Sequence, residues 1–340
     1  MRQTYCIISR PIALLVGIIG SANALCAETS VYGKIHLSVD GVSTGYGKHT
    51  ALSSNSSRIG FKGSEPLADW VVAIWRLESD IDVSGERGYL RARNRYAGLA
   101  SKAGSLTGGV HDTPWKLVEQ KFDIYGDTLF DARSLLGSSG AVFIDTGAKN
   151  SVLYKSPLLS GVQLNLLYSF GEEKRIDGSD VTSLTSASWT LKTEMLNLAI
   201  AYENQDRYHT EQWRAAGSFK FAMFRANAIY ERLSSTLYSS LTREAVGGNF
   251  TVALPAGFSV HAQSVGVFNA AATMFVAAMA GSGISYNFAK SGQVYVLGGL
   301  LKNAATSGFT FANGGHGEQY SLFAAGHSAY AVSTGMIVKF

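Results

Sequence analysis

Alternation of apolar and polar residues with a period of two runs through nearly the whole chain, and a chain so patterned can fold only as long β-strands with one oily and one wet face. Val31, Ile35, Leu37 and Val39 alternate with Lys34, His36, Ser38 and Asp40. Val162, Leu164, Leu166, Tyr168 and Phe170 alternate with Gln163, Asn165 and Ser169, and Leu196, Leu198, Ile200 and Tyr202 with Asn197, Ala199, Ala201 and Glu203. The dyad returns in Trp213–Phe219 against Gln212, Arg214, Ser218 and Lys220, and in Phe224–Tyr230 against Arg225, Asn227 and Glu231. A soluble sandwich and a membrane barrel both produce such a pattern. The choice between them comes from other parts of the chain.

Residues 1–27 carry Arg2 and Arg10, an apolar run Pro11–Gly20 and then small residues, the order of a secretory signal. Cleavage is expected after Ala27, with Ala24 as the alternative, so residues 28–340 form the mature chain. Cys26 suggests a lipid anchor, but Asn23 stands where such a signal needs a residue like Leu. Cys6 lies in the signal, so at most one cysteine survives, which excludes an internal disulfide framework and a cysteine zinc site. Removing the two signal arginines takes the net charge from +4 to +2, too little to argue for nucleic acid.

After the signal no run of 18 apolar residues exists, so no spanning helix is indicated. The nearest is Val265–Gly281, interrupted by Asn269 and Thr273, and it reads as a strand end, an apolar loop and the next strand. Export, lysines and arginines on the polar face, and aromatics near strand ends (Tyr32, Tyr96, Tyr168, Phe170, Tyr202, Phe219, Phe221, Tyr230) favour a membrane barrel. Such a barrel must close, because an open edge would leave backbone polar groups unsatisfied in hydrocarbon. The expectation is all-β: a transmembrane antiparallel β-barrel of sixteen strands. The strands should begin near residues 29, 56, 70, 90, 104, 149, 161, 184, 195, 212, 223, 244, 257, 282, 291 and 329. That leaves about 20 residues for each strand with its connection, which suits tilted spans of roughly 9–11 residues.

Arg91, Arg93 and Arg95 alternate within one strand and should share a face. Lipid would charge roughly 2–4 kcal/mol for each at the midplane, so that face should be the lumen. Arg58, Lys62 and Arg76 have the same expected parity, and the alternative is a solvated basic rim. Residues 112–132 lose the alternation and hold Asp112, Glu119, Asp123, Asp127 and Asp131 against Lys116 and Lys121. The plain reading is an exposed acidic loop.

Ser30-Val31-Tyr32-Gly33, the run 56–65 (SSRIGFKGSE), Leu77-Glu78-Ser79, Arg93 with Tyr96-Ala97-Gly98-Leu99, the run 150–157 (NSVLYKSP) and the terminal Phe340 follow one another in an order that resembles the Gram-negative general-diffusion porins. The resemblance covers essentially the whole mature chain. It implies a sixteen-stranded homotrimer of the outer membrane, in contact with lipid and lipopolysaccharide, that passes small hydrophilic solutes and ions. It also implies that residues 112–132 are a third loop folded into the barrel, where acids would oppose the basic wall across a constriction. Arg133, at the family's spacing after Phe130, would line the pore. With Arg58, Arg91, Arg93 and Arg95 it would set a modest anion preference. Tyr330, Val338 and Phe340 on the last strand resemble the signal read by the outer-membrane assembly machinery. Pro66, Val110 and an apparent insertion at 134–149 depart from the family pattern.

No His-Glu-x-x-His pair, Gly-x-Ser-x-Gly elbow or complete dinucleotide fingerprint is present, so no enzyme, cofactor or metal is expected. A barrel hydrolase whose triad is assembled from distant strands, and an adhesin-like barrel with binding loops, are the alternatives. Solute preference is not written in the sequence.

Overall fold

The computed structural model describes residues 28–44, 47–85, 91–138, 144–171, 182–269, 274–311, 315–317 and 326–340. The expected signal at 1–27, part of the expected insertion (139–143) and part of the apolar stretch (270–273) lie outside the described residues.

Strands β1 (Glu28–Thr44), β2 (Gly47–Ser54), β3 (Arg58–Ala68), β4 (Val71–Asp80), β5 (Arg91–Ser101) and β6 (Gly104–Asp112) come before the helix α1 (Pro114–Phe122). After it run β7 (Gly147–Lys155), β8 (Val162–Ser169), β9 (Leu184–Lys192), β10 (Leu196–Gln205), β11 (Thr210–Phe221) and β12 (Phe224–Ser235). The chain finishes with β13 (Arg243–Ala253), β14 (Phe258–Asn269), β15 (Phe275–Ala289), β16 (Gly292–Asn303) and β17 (Ser328–Lys339). β2 and β3 both pair with β1, every other strand pairs antiparallel with its sequence neighbours, and β17 returns to β1 with Lys34 opposite Lys339 and Ser43 opposite Tyr330. The sheet closes and has no edge, as hydrocarbon requires.

β2 and β3 lie end to end along β1, Leu37 to Thr44 facing the first and Glu28 to Lys34 the second, so the seventeen segments make sixteen staves. Side chains take over the ladder at the break. The Ser57 hydroxyl accepts from the His36 amide at 3.0 Å, and the Asn55 amide donates to Ser38 Oγ at 2.8 Å.

The outer face carries exposed Val31, Val39, Phe61, Leu77, Leu99 and Leu106, continued around the wall by Ile200, Trp213, Val246, Val296 and Val332. An apolar girdle of this extent would be intolerable in water, and it is what lipid requires. Tyr168, Phe170, Phe219 and Phe221 belong to this face. Tyr32 and Tyr96 do not. Tyr32 bonds Glu78 and Arg76 inside the barrel, and Tyr96 stacks on His111 with ring centroids 5.0 Å apart.

The inner face is not uniformly polar, and this is the main departure from simple alternation. On β10–β16 it carries buried Ala199, Ala216, Ile229, Leu233, Val265, Val267, Met279 and Leu297. One apolar cluster joins them to Trp115, Phe122, Leu129, Phe130, Leu135 and Leu136 from the segment between β6 and β7, and to Phe309 and Phe311 from the segment after β16. A fully buried Phe or Leu contributes about 1.5–3 kcal/mol, so this packing holds the loop inside the barrel. The apolar stretch from Val265 is thereby explained: it forms the end of β14 and the start of β15, lipid on one side and loop on the other. β15 starts at Phe275 rather than near 282, because strands apolar on both faces show no alternation.

Phe130 docks where the wall has no side chains. A methyl group at Gly281 would meet its ring at 2.9 Å, and one at Gly299 would meet it at 2.6 Å.

Candidate functional site

The open part of the lumen lies along β1 and β3–β7, opposite the apolar half. Register places Lys34 beside Arg58 and Lys62 beside Arg76, all on the inner face. Glu78, only 2% exposed, is the acid around which three arginines gather. Arg76 Nη2 lies 2.6 Å and Arg93 Nε 2.9 Å from its carboxylate, and Arg58 Nε lies at 3.8 Å. Arg93 also pairs with Asp80 at 2.8 Å, and the Tyr32 hydroxyl donates to Glu78 at 2.8 Å. The Lys62 amine sits 5.5 Å from the centre of the Tyr32 ring, and Lys155 on β7 shares the inward parity of Leu153 and Ser151. Sharing one buried carboxylate fixes the guanidinium groups in place and leaves positive charge in excess.

Of the three arginines expected on one face, the structure separates one. Ser79 pairs with Ala92 and Leu77 with Arg95, so Arg93 and Asn94 together stand opposite the single residue Glu78. This β-bulge points both bulged residues inward and flips the parity beyond them. Arg95 therefore lies on the outer side with Leu77 and Leu99, exposed, its guanidinium 3.1 Å from Ser79 Oγ. Arg91 pairs with Asp80 on the lumen side at the exposed end of the strand. The shared face for 91, 93 and 95 is corrected accordingly.

The loop begins at Asp112, which pairs with Lys116 at 2.7 Å and accepts from Asn94 at 2.8 Å. Thr113 caps α1 by accepting from the Lys116 amide, and Pro114 at its first position gives up a donor the helix does not need. Of the five acids expected to face the wall, Asp112 and Asp127 do so, the latter 2.6 Å from the Lys34 amine. Glu119 and Asp123 turn instead into the junction between the loop and the apolar half, and Asp131 is buried within the loop against Arg133. Arg133 is likewise corrected. It is buried among loop carboxylates, 2.8 Å from Asp131, 3.1 Å from Asp127 and 3.5 Å from Glu119, and is not a free cation on the pore wall.

Burial, reinforced by Asp123 and Asp131, pushes the Glu119 carboxyl well above its usual range. Burial and Asp131 push Asp123 up to about 7. Asp127 goes the other way: burial opposes ionisation, yet Lys34 and Arg133 hold its carboxyl far below the usual carboxylate range.

A second charged group was not legible as a site in the sequence. The fully buried Arg214 lies flat under Trp115, 3.4 Å from the ring centre, and donates to the Trp115 carbonyl at 3.1 Å. Glu231 accepts from Arg214 Nε at 3.1 Å, from Arg243 at 3.2 Å and from the Gly137 amide at 2.8 Å. Arg243 donates to the Leu135 carbonyl at 2.7 Å, and Asp145 lies 3.5 Å from Arg214. Gly137 and Asp145 both fall in the 134–149 insertion, so the added residues fasten the loop to the wall. Arg214 and Glu231 announced themselves only as polar members of alternating strands.

Ser333, Asp40 and His316 meet in the barrel, but the serine and the histidine both bond the aspartate, at 2.6 and 2.9 Å. The hydroxyl donates to the aspartate, whereas a hydrolytic triad sets the imidazole between the hydroxyl and the carboxylate.

Known proteins share this fold. The family model for Gram-negative porins matches residues 12–306. The major outer membrane protein P.IB of Neisseria sicca is 25% identical over 205 residues, 58% of this chain and 54% of that protein. The chain thus spans about half the length of that relative. Among solved structures, the anion-selective porin from Comamonas acidovorans superposes with a TM-score of 0.76 at 18% identity, covering 92% of this chain and 100% of the other. The trimer form of in-vitro folded OmpT, an outer membrane protein of Vibrio cholerae, gives 0.67 at 13% identity, covering 92% and 99%. Because the family match runs through the charged half of the barrel and the loop-packed half alike, the chain belongs to the Gram-negative porin family, whose members are outer-membrane β-barrel channels and not enzymes.

Proposed function

We propose that the protein is a trimeric channel for passive diffusion of small hydrophilic solutes and ions, with a modest preference for anions. The observation that carries the preference is the charge around the open half of the lumen. Lys34, Arg58, Lys62, Arg76, Arg93, Lys116 and Lys155 stand against Glu78, Asp80, Asp112 and Asp127. Fixed charges act within a Debye length of roughly 8 Å, comparable to a narrow pore, so a local excess governs passing ions even when the whole chain is nearly neutral. Of the residues the sequence suggested for this role, Arg58, Lys62, Arg76, Arg91 and Arg93 stay in the reading; Arg95 and Arg133 leave it.

Planar-bilayer recording of the purified protein in a salt gradient tests this. Expected are current steps in groups of three and a zero-current potential of the sign for chloride over potassium. A cation-selective reversal potential would refute the preference, and single unrelated steps would refute the trimer.

Secretion with removal of residues 1–27, contact with lipopolysaccharide and recognition by the assembly machinery belong to the same reading. Support for the last comes from β17, where Tyr330, Val332, Met336 and Phe340 are exposed on the outer face and the Phe340 backbone closes the barrel through two bonds with Gly33, at 2.9 and 3.1 Å. Deleting Phe340 should lower outer-membrane yield several-fold while leaving export to the periplasm intact. Cell fractionation checks it, and wild-type yield in the outer membrane would remove the terminal residue from the assembly signal.

A further inference from the structure

The segment between β16 and β17 enters the barrel, and two of its described stretches dock at different places. Phe309 and Phe311 join the apolar cluster, with Phe311 edge-on to Phe130 and ring centroids 5.4 Å apart. Residues 315–317 instead fill the gap between β2 and β3, each with one bond. The Gly315 carbonyl accepts from Ser56 Oγ at 2.7 Å, His316 Nε2 donates to Asp40 Oδ2 at 2.9 Å, and the Gly317 amide donates to Asn55 Oδ1 at 2.9 Å. A side chain at Gly317 would strike the Ser54 backbone, so the fit is close. His316 is 4% exposed and Asp40 is fully buried, its carboxylate also accepting from Ser38 at 2.9 Å and Ser333 at 2.6 Å. A buried carboxylate needs such donors, which makes the imidazole the peg of this socket.

The same stretch backs the constriction loop. A methyl group at Gly315 would run into Asp127 Oδ1 and lie 2.8 Å from both Arg133 Nη2 and Ser56 Oγ, so the backbone there rests against all three. Asp127 is a loop acid that reaches the basic wall. Its Oδ2 takes the Lys34 amine at 2.6 Å, while Oδ1 accepts from Arg133 at 3.1 Å. Gly315 thus closes the Arg133 side of the carboxylate and keeps it over Lys34.

We propose that His316 is a positioning residue for the constriction: seated on Asp40, it holds Gly315 against Asp127 and so sets how far that carboxylate covers Lys34. The proposal rests on the channel reading but not on the sign of its preference. His316 itself touches no passing ion; it acts through the loop acid that does.

Planar-bilayer recording of the whole refolded barrel in a potassium chloride gradient tests this, with folding judged by the gel shift between heated and unheated samples. In His316→Ala the carboxylate gains room on its Arg133 side and uncovers Lys34. The chloride-to-potassium permeability ratio should then rise about two-fold, the worth of one displaced unit charge. His316→Gln, whose amide nitrogen can take the place of Nε2, should keep the wild-type ratio. In an Asp127→Asn background His316→Ala should add no shift, because effects that pass through one residue do not add. If His316→Ala does not refold, Ser56→Ala, which frees the Gly315 carbonyl, carries the comparison with a shift in the same sense. A wild-type ratio in the folded variant, or a shift as large in His316→Gln, would overturn the proposal. So would an equal shift with Asp127→Asn present, which would leave His316 a structural clip. Absence of channels in the wild type would instead refute the diffusion reading itself.

Discussion

Glu231→Gln should loosen the constriction loop more than any other single substitution at its seat. The carboxylate is fully buried and is bonded by two arginines and a backbone amide of the loop. Neutralising it leaves Arg214 and Arg243 with Asp145, at 3.5 Å from Arg214, and the more distant Glu119 as nearby acids. Breaking a buried ion pair by removing one partner costs about 3–5 kcal/mol, far more than an exposed pair contributes. The cost falls on the segment that Glu231 holds at Gly137, so the expected result is a channel with higher and noisier single-channel conductance. Digestion of the folded barrel by a protease acting within 112–146 should be faster. Wild-type conductance and wild-type resistance to cleavage together would mean that the apolar packing of Phe130, Leu135 and Leu136 suffices without the ion pairs.

Arg93→Gln and Arg95→Gln should differ sharply although the two residues stand two apart on one strand. Arg93 faces the lumen with Glu78 and Asp80, while Arg95 is turned outward by the bulge. One unit charge about 8 Å from a passing ion in water is worth roughly 0.5 kcal/mol, about two-fold for an anion and the inverse for a cation. Arg93→Gln should therefore lower the chloride-to-potassium permeability ratio by about two- to six-fold. Arg95→Gln should leave it within experimental error. Reversal potentials in a potassium chloride gradient decide the matter. An equal shift from both variants would return Arg95 to the lumen and contradict the bulge.

The reason this contrast was invisible in the sequence is instructive. Arg-Ala-Arg-Asn-Arg reads as perfect alternation, and a bulge has no local signature there because it is set by how β4 and β5 match in length across Glu78. Where one face meets lipid and the other the open lumen, as on β3 and β4, the strand starts were located to within about two residues. Alternation failed at β15 and misjudged the inner faces of β10–β16, because those faces meet a loop and not water. The acids at 119 and 123 were legible as loop residues, but their turn away from the basic wall depends on packing partners more than 100 residues distant, such as Asn249 and Gln263. Arg214 and Glu231 were hidden for the same reason. Each is an ordinary polar strand residue until Trp115 and the insertion are laid over it.

The unequal lining of the barrel has a bearing on how such a channel can change. On the proposed reading, substitutions among Arg58, Lys62, Arg76 and Lys155 should alter what passes without disturbing the contacts that seat the loop, whereas changes around Phe130 and Gly281 should disturb the loop's seat. Filter and frame thus occupy separate arcs of one wall. Charge preference can drift through single replacements while the aperture stays constant, and a lineage exposed to new solutes or toxic anions can explore one property without risking the other.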